Sequence, residues 1–167
     1  RSARSMSRTG REPEDPCDVD ACRESALRLL DAADRPSGAL RDRLIDKGYD
    51  DETVAAVVDR LIEVGLVDDE SYAQSAVRYC VGRLMGYRGA VMELARKGVD
   101  RPLAERVCDE ARMSGVFEDA AWELGRRSAA KTQGMDPKVR KRRFWSSGGR
   151  KGHDAETLRA VAHELFD

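Results

Sequence analysis

Apolar residues recur at intervals of three and four through most of the chain. Val54, Val57 and Leu61 form one such set, Ala104, Val107 and Ala111 a second, and Leu158, Val161 and Leu165 a third. This spacing places a single apolar stripe along a helix. The alternating Val, Ile, Tyr and Phe positions that mark strands are few. The three stripes are also in register. "DKGYDDETVAAVVDRL" (46–61), "RKGVDRPLAERVCDEA" (96–111) and "RKGHDAETLRAVAHEL" (150–165) align without a gap. Each carries Lys-Gly, one variable residue and Asp, and the anchoring lysines Lys47, Lys97 and Lys151 stand 50 and then 54 residues apart.

That anchor reads as a helix stop followed by a helix start. Lysine in a last turn suits the negative end of the helix dipole, glycine beyond it can enter the left-handed region, and aspartate caps the next helix. Pro102 fits the first turn after Asp100, because it lacks an amide hydrogen that would be unpaired there. A shorter helix precedes each anchor, with Leu40 and Leu44 matched by Ala90 and Leu94 and then by Phe144 and Gly148. Phe144 therefore takes a core position. Gly148 and Gly149 cost about 1 kcal/mol each relative to alanine in a helix interior, so the third short helix is expected to end near Ser146.

A further helix is expected before each pair, over Cys22–Ala33, Asp68–Leu84 and about Glu118–Thr132. Gly65, Gly115 and the turn from Gly134 to Pro137 separate them. The pattern predicts an all-α protein of three tandem three-helix repeats, spanning 22–66, 67–115 and 116–167. Stacked units of this kind form an elongated, curved array whose long face binds a partner. Residues 1–21, with Pro13 and Pro16, read as a flexible leader.

Composition adds little until charge is followed along the chain. Thirty basic and 31 acidic residues leave a net charge of −1. Between Arg126 and Lys151, however, ten Lys and Arg stand against Asp136 alone, whereas eight acids between Asp50 and Glu70 face only Arg60. The third repeat is thus basic and the acidic belt holds helix starts, with Asp68 and Asp69 assigned a structural role.

Catalytic chemistry finds no motif. Cys17, Cys22, Cys80 and Cys108 lack zinc spacing, and His153 and His163 are ten apart without a ligand partner at helical spacing. Reduced thiols in a cytoplasmic protein are expected, with no metal and no cofactor. Gly148-Gly149 lies between helices and lacks the Gly-Lys-Ser/Thr ending of a phosphate loop. No nucleophile has a base at motif spacing, so the protein is read as a non-enzyme. No uncharged run exceeds the seven residues from Ser71 to Val77, so neither a membrane span nor a signal-peptide core is expected.

Several short motifs, in order, resemble a known family. They are Ala26-Leu27-x-x-Leu30, Ser37 with Leu40 and Leu44, Lys47-Gly48-Tyr49, Leu61 with Gly65-Leu66, Asp68-Asp69-x-x-Tyr72-Ala73, Gly86-x-Arg88 and Glu93-Leu94-x-x-Lys97-Gly98-Val99. Together they are similar to the RecX family of bacterial regulators of the RecA recombinase, over about Ala26 to Leu165. The resemblance implies a crescent of three helical repeats lying in the groove of the RecA filament on single-stranded DNA. Bound there, such proteins suppress ATP hydrolysis, strand exchange and coprotease activity. The family tends to carry a second Arg where this chain has Gly89.

Candidate binding residues follow the positive charge. In the third repeat they are Arg126, Arg127, Lys138, Arg140, Lys141, Arg142, Arg143, Arg150 and Lys151, and in the second repeat Arg78, Arg83 and Arg88. Cations neutralise phosphates, and an exposed Trp145 could stack on an unpaired base. The partners expected are the RecA filament and single-stranded DNA, touched directly or within the filament, by a monomeric protein. Two other readings stay open: a helix-turn-helix-like DNA-binding module, and a helical-repeat adaptor. The apolar and acidic segments "DETVAAVVDRL" and "RPLAERVCDEA" disfavour a reader of duplex sequence.

Overall fold

The structure is a computed structural model that describes residues 12–167. Nine helices and no strand are found among the described residues: α1 (Val19–Ala32), α2 (Ser37–Asp46), α3 (Asp51–Glu63), α4 (Asp69–Gly82), α5 (Tyr87–Arg96), α6 (Arg101–Met113), α7 (Val116–Lys131), α8 (Pro137–Arg150) and α9 (Ala155–Phe166). The chain divides into two compact units, one ending at Asp68 and the other beginning at Asp69.

The first unit holds α1 to α3. Cys22, Ala26 and Leu29 of α1, Leu40 and Leu44 of α2, and Val54, Val57, Val58 and Leu61 of α3 close its core, with Tyr49 and Val67 at the ends. Helix α1 starts at Val19, three residues earlier than the apolar pattern suggested. The reason is Asp18, whose carboxylate accepts from the Ala21 amide at 3.0 Å and satisfies a donor the first turn cannot. Part of the expected leader, residues 1–11, lies outside the described residues. Beyond it the Pro16 carbonyl accepts from the Asp50 amide at 3.0 Å, so this stretch is tied to the start of α3.

The second unit holds the other six helices. Ala73, Ala76, Val77 and Cys80 of α4 pack with Ala90, Val91 and Leu94 of α5 and with Ala104, Val107 and Cys108 of α6. Ala121 and Leu124 of α7, Phe144 of α8, and Leu158, Val161 and Ala162 of α9 form a further core. Phe117, at the start of α7, joins the first of these clusters, and Leu84, after α4, packs on the second.

The three Lys-Gly-x-Asp turns behave as stop-and-start signals. Gly48, Gly98 and Gly152 have φ of 109°, 101° and 83°, the left-handed region that glycine enters without a Cβ penalty. Asp50 and Asp154 each accept from the amide three residues on, at 2.8 Å. Asp100 makes no side-chain cap, and proline in the first turn of α6 removes one donor instead.

One expectation is corrected. Helix α8 does not stop near Ser146; it continues through both glycines to Arg150. Gly148 is there because α9 comes too close for a side chain: a Cβ would stand 2.3 Å from Leu158 Cδ2. Gly125 plays the same part on α7, where a Cβ would stand 2.5 Å from Val161 Cγ1. The helix penalty of these glycines is offset by tight packing of α9 between its neighbours.

Candidate nucleic-acid interface

The end of α4, the last turns of α7 and the middle of α8 enclose a cleft of about 510 Å³. Arg83, Arg127, Lys131, Arg143 and Lys151 line it, Ser128, Thr132 and Ser147 add hydroxyls, and Leu84 and Leu124 supply an apolar floor. No carboxylate is in the lining. Spacing explains why the cations converge. Arg127 and Lys131 are one turn apart on α7, and Arg143, Ser147 and Lys151 are successive turns along α8, so each helix shows its row on a single face.

The junction of the two helical triads fixes the cleft's far wall. The Lys151 ammonium donates to the Arg83 carbonyl at 2.8 Å, and the Gly86 amide donates to the Lys151 carbonyl at 2.8 Å. Leu84 takes φ of 61°, an uncommon conformation for a leucine, and its carbonyl pairs with His153 Nε2 at 2.8 Å. Since a carbonyl only accepts, this ring nitrogen carries the proton. Burial holds the His153 pKa below the ordinary imidazole value, which favours the neutral ring. Backbones meet directly here, for a Cβ on Gly152 would lie 2.1 Å from the Gly89 nitrogen.

The twelve basic residues singled out from sequence separate into groups. Arg83, Arg127, Arg143 and Lys151 come together in the cleft. Arg78, Arg88, Arg126, Lys138, Arg140, Lys141, Arg142 and Arg150 lie outside its lining. Arg140 is engaged within the fold: it donates to Thr132 Oγ1 and to the Ala129 carbonyl, each at 3.1 Å, and its guanidinium lies 5.4 Å from the centre of the Phe166 ring. Lys141 pairs with Asp167, whose carboxyl is held below its ordinary pKa first by that lysine and then by His163. Arg126 and Arg127 share Glu123, at 3.2 and 3.0 Å. Arg78 donates to Ser75 Oγ at 2.9 Å and Arg150 to Ser146 Oγ at 2.8 Å. Arg88, Lys138 and Arg142 are exposed.

Two residues passed over in the sequence belong in this description. Lys131 lies within the basic stretch and faces the cleft, where its place four residues after Arg127 was the available signal. Tyr79 is 54% exposed on α4, one turn before Arg83. The Arg83 guanidinium lies 5.8 Å and the Lys97 ammonium 5.6 Å from its ring centre. The aromatics considered at first are less available: Phe144 is fully buried and Trp145 packs partly against the α7–α9 core.

Cys22 and Cys108 are buried thiols, pushed up by desolvation to about 11 and about 12, and at neutral pH they serve as small apolar core residues. Among the described residues, no three His, Cys, Asp or Glu side chains gather closely enough to hold a metal ion. No described helix is long and apolar enough to cross a membrane.

Comparison with known proteins places this geometry in context. A family model described as "RecX, first three-helix domain" matches residues 22–61. The "Regulatory protein RecX" of Thermobifida fusca (strain YX) is 37% identical over 147 residues, covering 86% of this chain and 78% of that protein. The chain belongs to the RecX family. RecX of Mycobacterium sp. (strain JLS) is 43% identical over 100 residues, 58% of this chain, and the match spans only about half (54%) of that relative. The crystal structure of RecX from Lactobacillus salivarius superposes with a TM-score of 0.78 at 20% identity, covering 89% of this chain and 96% of that one. The all-helical repeat fold is therefore a RecX fold.

Proposed function

We propose that this RecX-family protein regulates a RecA recombinase by binding its filament on single-stranded DNA. Seated in the filament groove, it suppresses ATP hydrolysis and, with it, strand exchange and coprotease activity. The protein acts by occupancy, as a cytoplasmic monomer without a cofactor. The observation that carries this reading is the cationic cleft of the second unit, in a chain whose net charge is only −1. A local field of this sign draws a polyanion such as a DNA-bound filament while leaving the rest of the protein free of nonspecific attraction. Residues outside the cleft, including Arg78, Arg88, Lys138 and Arg142, are assigned the surrounding contacts to the filament.

The helix-turn-helix alternative gains no support from the exposed helix starts. Helix α3 opens with Asp51 and Glu52 and α9 with Glu156, which would repel phosphates flanking a groove. The test is the rate of single-strand-dependent ATP hydrolysis by the cognate RecA, titrated with this protein at fixed DNA. A fall at well below one protein per recombinase subunit is expected. An unchanged rate with an active filament would reject the proposal.

A further inference from the structure

We propose that the cleft seats the phosphodiester backbone of a single DNA strand directly, without the recombinase, and that Tyr79 receives one of its bases. The proposal rests on the cleft used above but makes a separate claim about what enters it.

Three observations carry it. First, the cleft unites the two donor types that grip phosphate: the cations Arg83, Arg127, Lys131, Arg143 and Lys151, and the hydroxyls of Ser128 and Ser147. Lys131 and Arg143 make no ion pair with any described residue, so their charge is available to a ligand. Second, the site is a concavity of about 510 Å³ rather than a broad convex or flat face. A strand that can bend its backbone inward can fill it, whereas the phosphates of a rigid duplex lie on a convex surface and cannot. Third, an aromatic ring stands beside the cations. Tyr79 is more than half exposed, and Arg83, which lines the cleft, also approaches this ring. A base stacked on Tyr79 would have its phosphates within reach of Arg83 and Lys97. An aromatic stacking face joined to a cationic groove is the arrangement that holds single strands without reading their sequence. An acidic protein segment would make no comparable use of the ring.

The experiment is fluorescence anisotropy of a labelled oligothymidylate with the full chain, with no recombinase present. Binding is expected to weaken with salt. The double variant K131E/R143E is expected to lose at least tenfold in affinity in low salt, and replacing both cations by Gln should flatten the logarithmic salt slope by about 1.4, as for two phosphate contacts on a single strand. Tyr79→Ser is expected to lose about tenfold while Tyr79→Trp binds like the parent, and neither should matter on an abasic strand of equal length. All four variants are judged against unaltered circular dichroism.

Affinity of K131E/R143E within twofold of the parent would overturn the proposal. So would equal binding of duplex DNA, or displacement of the strand by inorganic polyphosphate at equal phosphate concentration, which would mark a general polyanion patch. Failure here is separable from failure of the proposed function. A protein that slows the recombinase while K131E/R143E binds the free strand normally loses only this proposal. One that binds the strand through the cleft but leaves the recombinase unaffected loses only the other.

Discussion

The turns at 47–50 and 151–154 share a sequence pattern and a backbone shape, yet their surroundings differ. In the first unit, Tyr49 turns inward and its hydroxyl meets Ser25 Oγ at 3.2 Å, inside the same three helices. A Cβ on Gly48 would find only Pro13 and Glu12 side-chain atoms, the nearest at 3.1 Å. In the second unit, the equivalent His153 reaches out of its own triad to the Leu84 carbonyl, and Gly152 meets Gly89 backbone to backbone. The variable residue is buried in both, and in the middle turn at Val99 as well. A local signal thus sets the turn, while its third residue either completes a core or joins two of them.

The largest test of that difference is Gly152→Ala against Gly65→Ala. Both glycines have positive φ, but a Cβ meets nothing within 4 Å at Gly65 and backbone at 2.1 Å at Gly152. Gly65→Ala is expected to cost about 1 kcal/mol, the conformational term alone, and Gly152→Ala about 3 kcal/mol or more, because the junction must move. Urea denaturation midpoints decide it, and equal losses would mean the junction is soft.

Next in size is Gly148→Leu, which restores the leucine that the first two repeats carry at Leu44 and Leu94. It improves helix propensity and repeat regularity, yet it is expected to destabilise by about 2 kcal/mol, since Leu158 already fills that space. A rise in thermal midpoint would instead mark the glycine as a defect.

Capping separates the turns more finely. Asp154→Ala is expected to cost about 1 kcal/mol, for it removes the acceptor of the Thr157 amide, whereas Asp100→Ala, with no side-chain cap to lose, should cost only a few tenths. Chemical denaturation of the two variants side by side checks the ratio.

The smallest effect is a pH dependence at the junction. His153 has its pKa lowered in the fold, chiefly by burial, with Lys151 acting in the same direction and the Leu84 carbonyl and Asp154 opposing. The unfolded chain therefore takes up this proton first as pH falls. The contribution of the neutral ring is fully present above the unfolded value of about 6.5 and is lost as pH drops from there towards the lower folded-state value. The carboxylates with lowered pKa, Asp50, Glu93, Glu123, Asp154 and Asp167, act in a separate acid range near and below pH 4. His153→Gln should flatten the thermal midpoint between pH 7.5 and 5.5. A parent protein already flat over that window would show that the His153 pKa is not lowered in the folded state.

Much of this was legible along the chain. The stripe of Val54, Val57 and Leu61 and its two copies marks the inner faces of α3, α6 and α9, and the repeat register alone places Phe144 in a core. The candidate interface was legible only as a stretch of charge. Arg140 and Arg143 look alike in sequence, three residues apart, but one is held by Thr132 and Ala129 and the other opens onto the cleft.

Periodicity, turn chemistry and capping are local, acting over one or two helical turns, and for that reason the sequence by itself determined the helices of the described residues and the residues on their inner faces, though not the start of α1 or the end of α8. Which cations share a cleft depends on where α4, α7 and α8 approach one another, with Lys131 and Arg143 12 residues apart in sequence and Arg83 and Lys151 68 apart. That approach is set by the absence of a side chain at Gly86, Gly89, Gly125, Gly148 and Gly152 and by the mates each meets. A glycine reads in sequence as a weak helix former or a turn. Only the tertiary structure decided that here it is a place where two backbones or a backbone and a leucine touch, because close packing is a property of the pair and not of either residue.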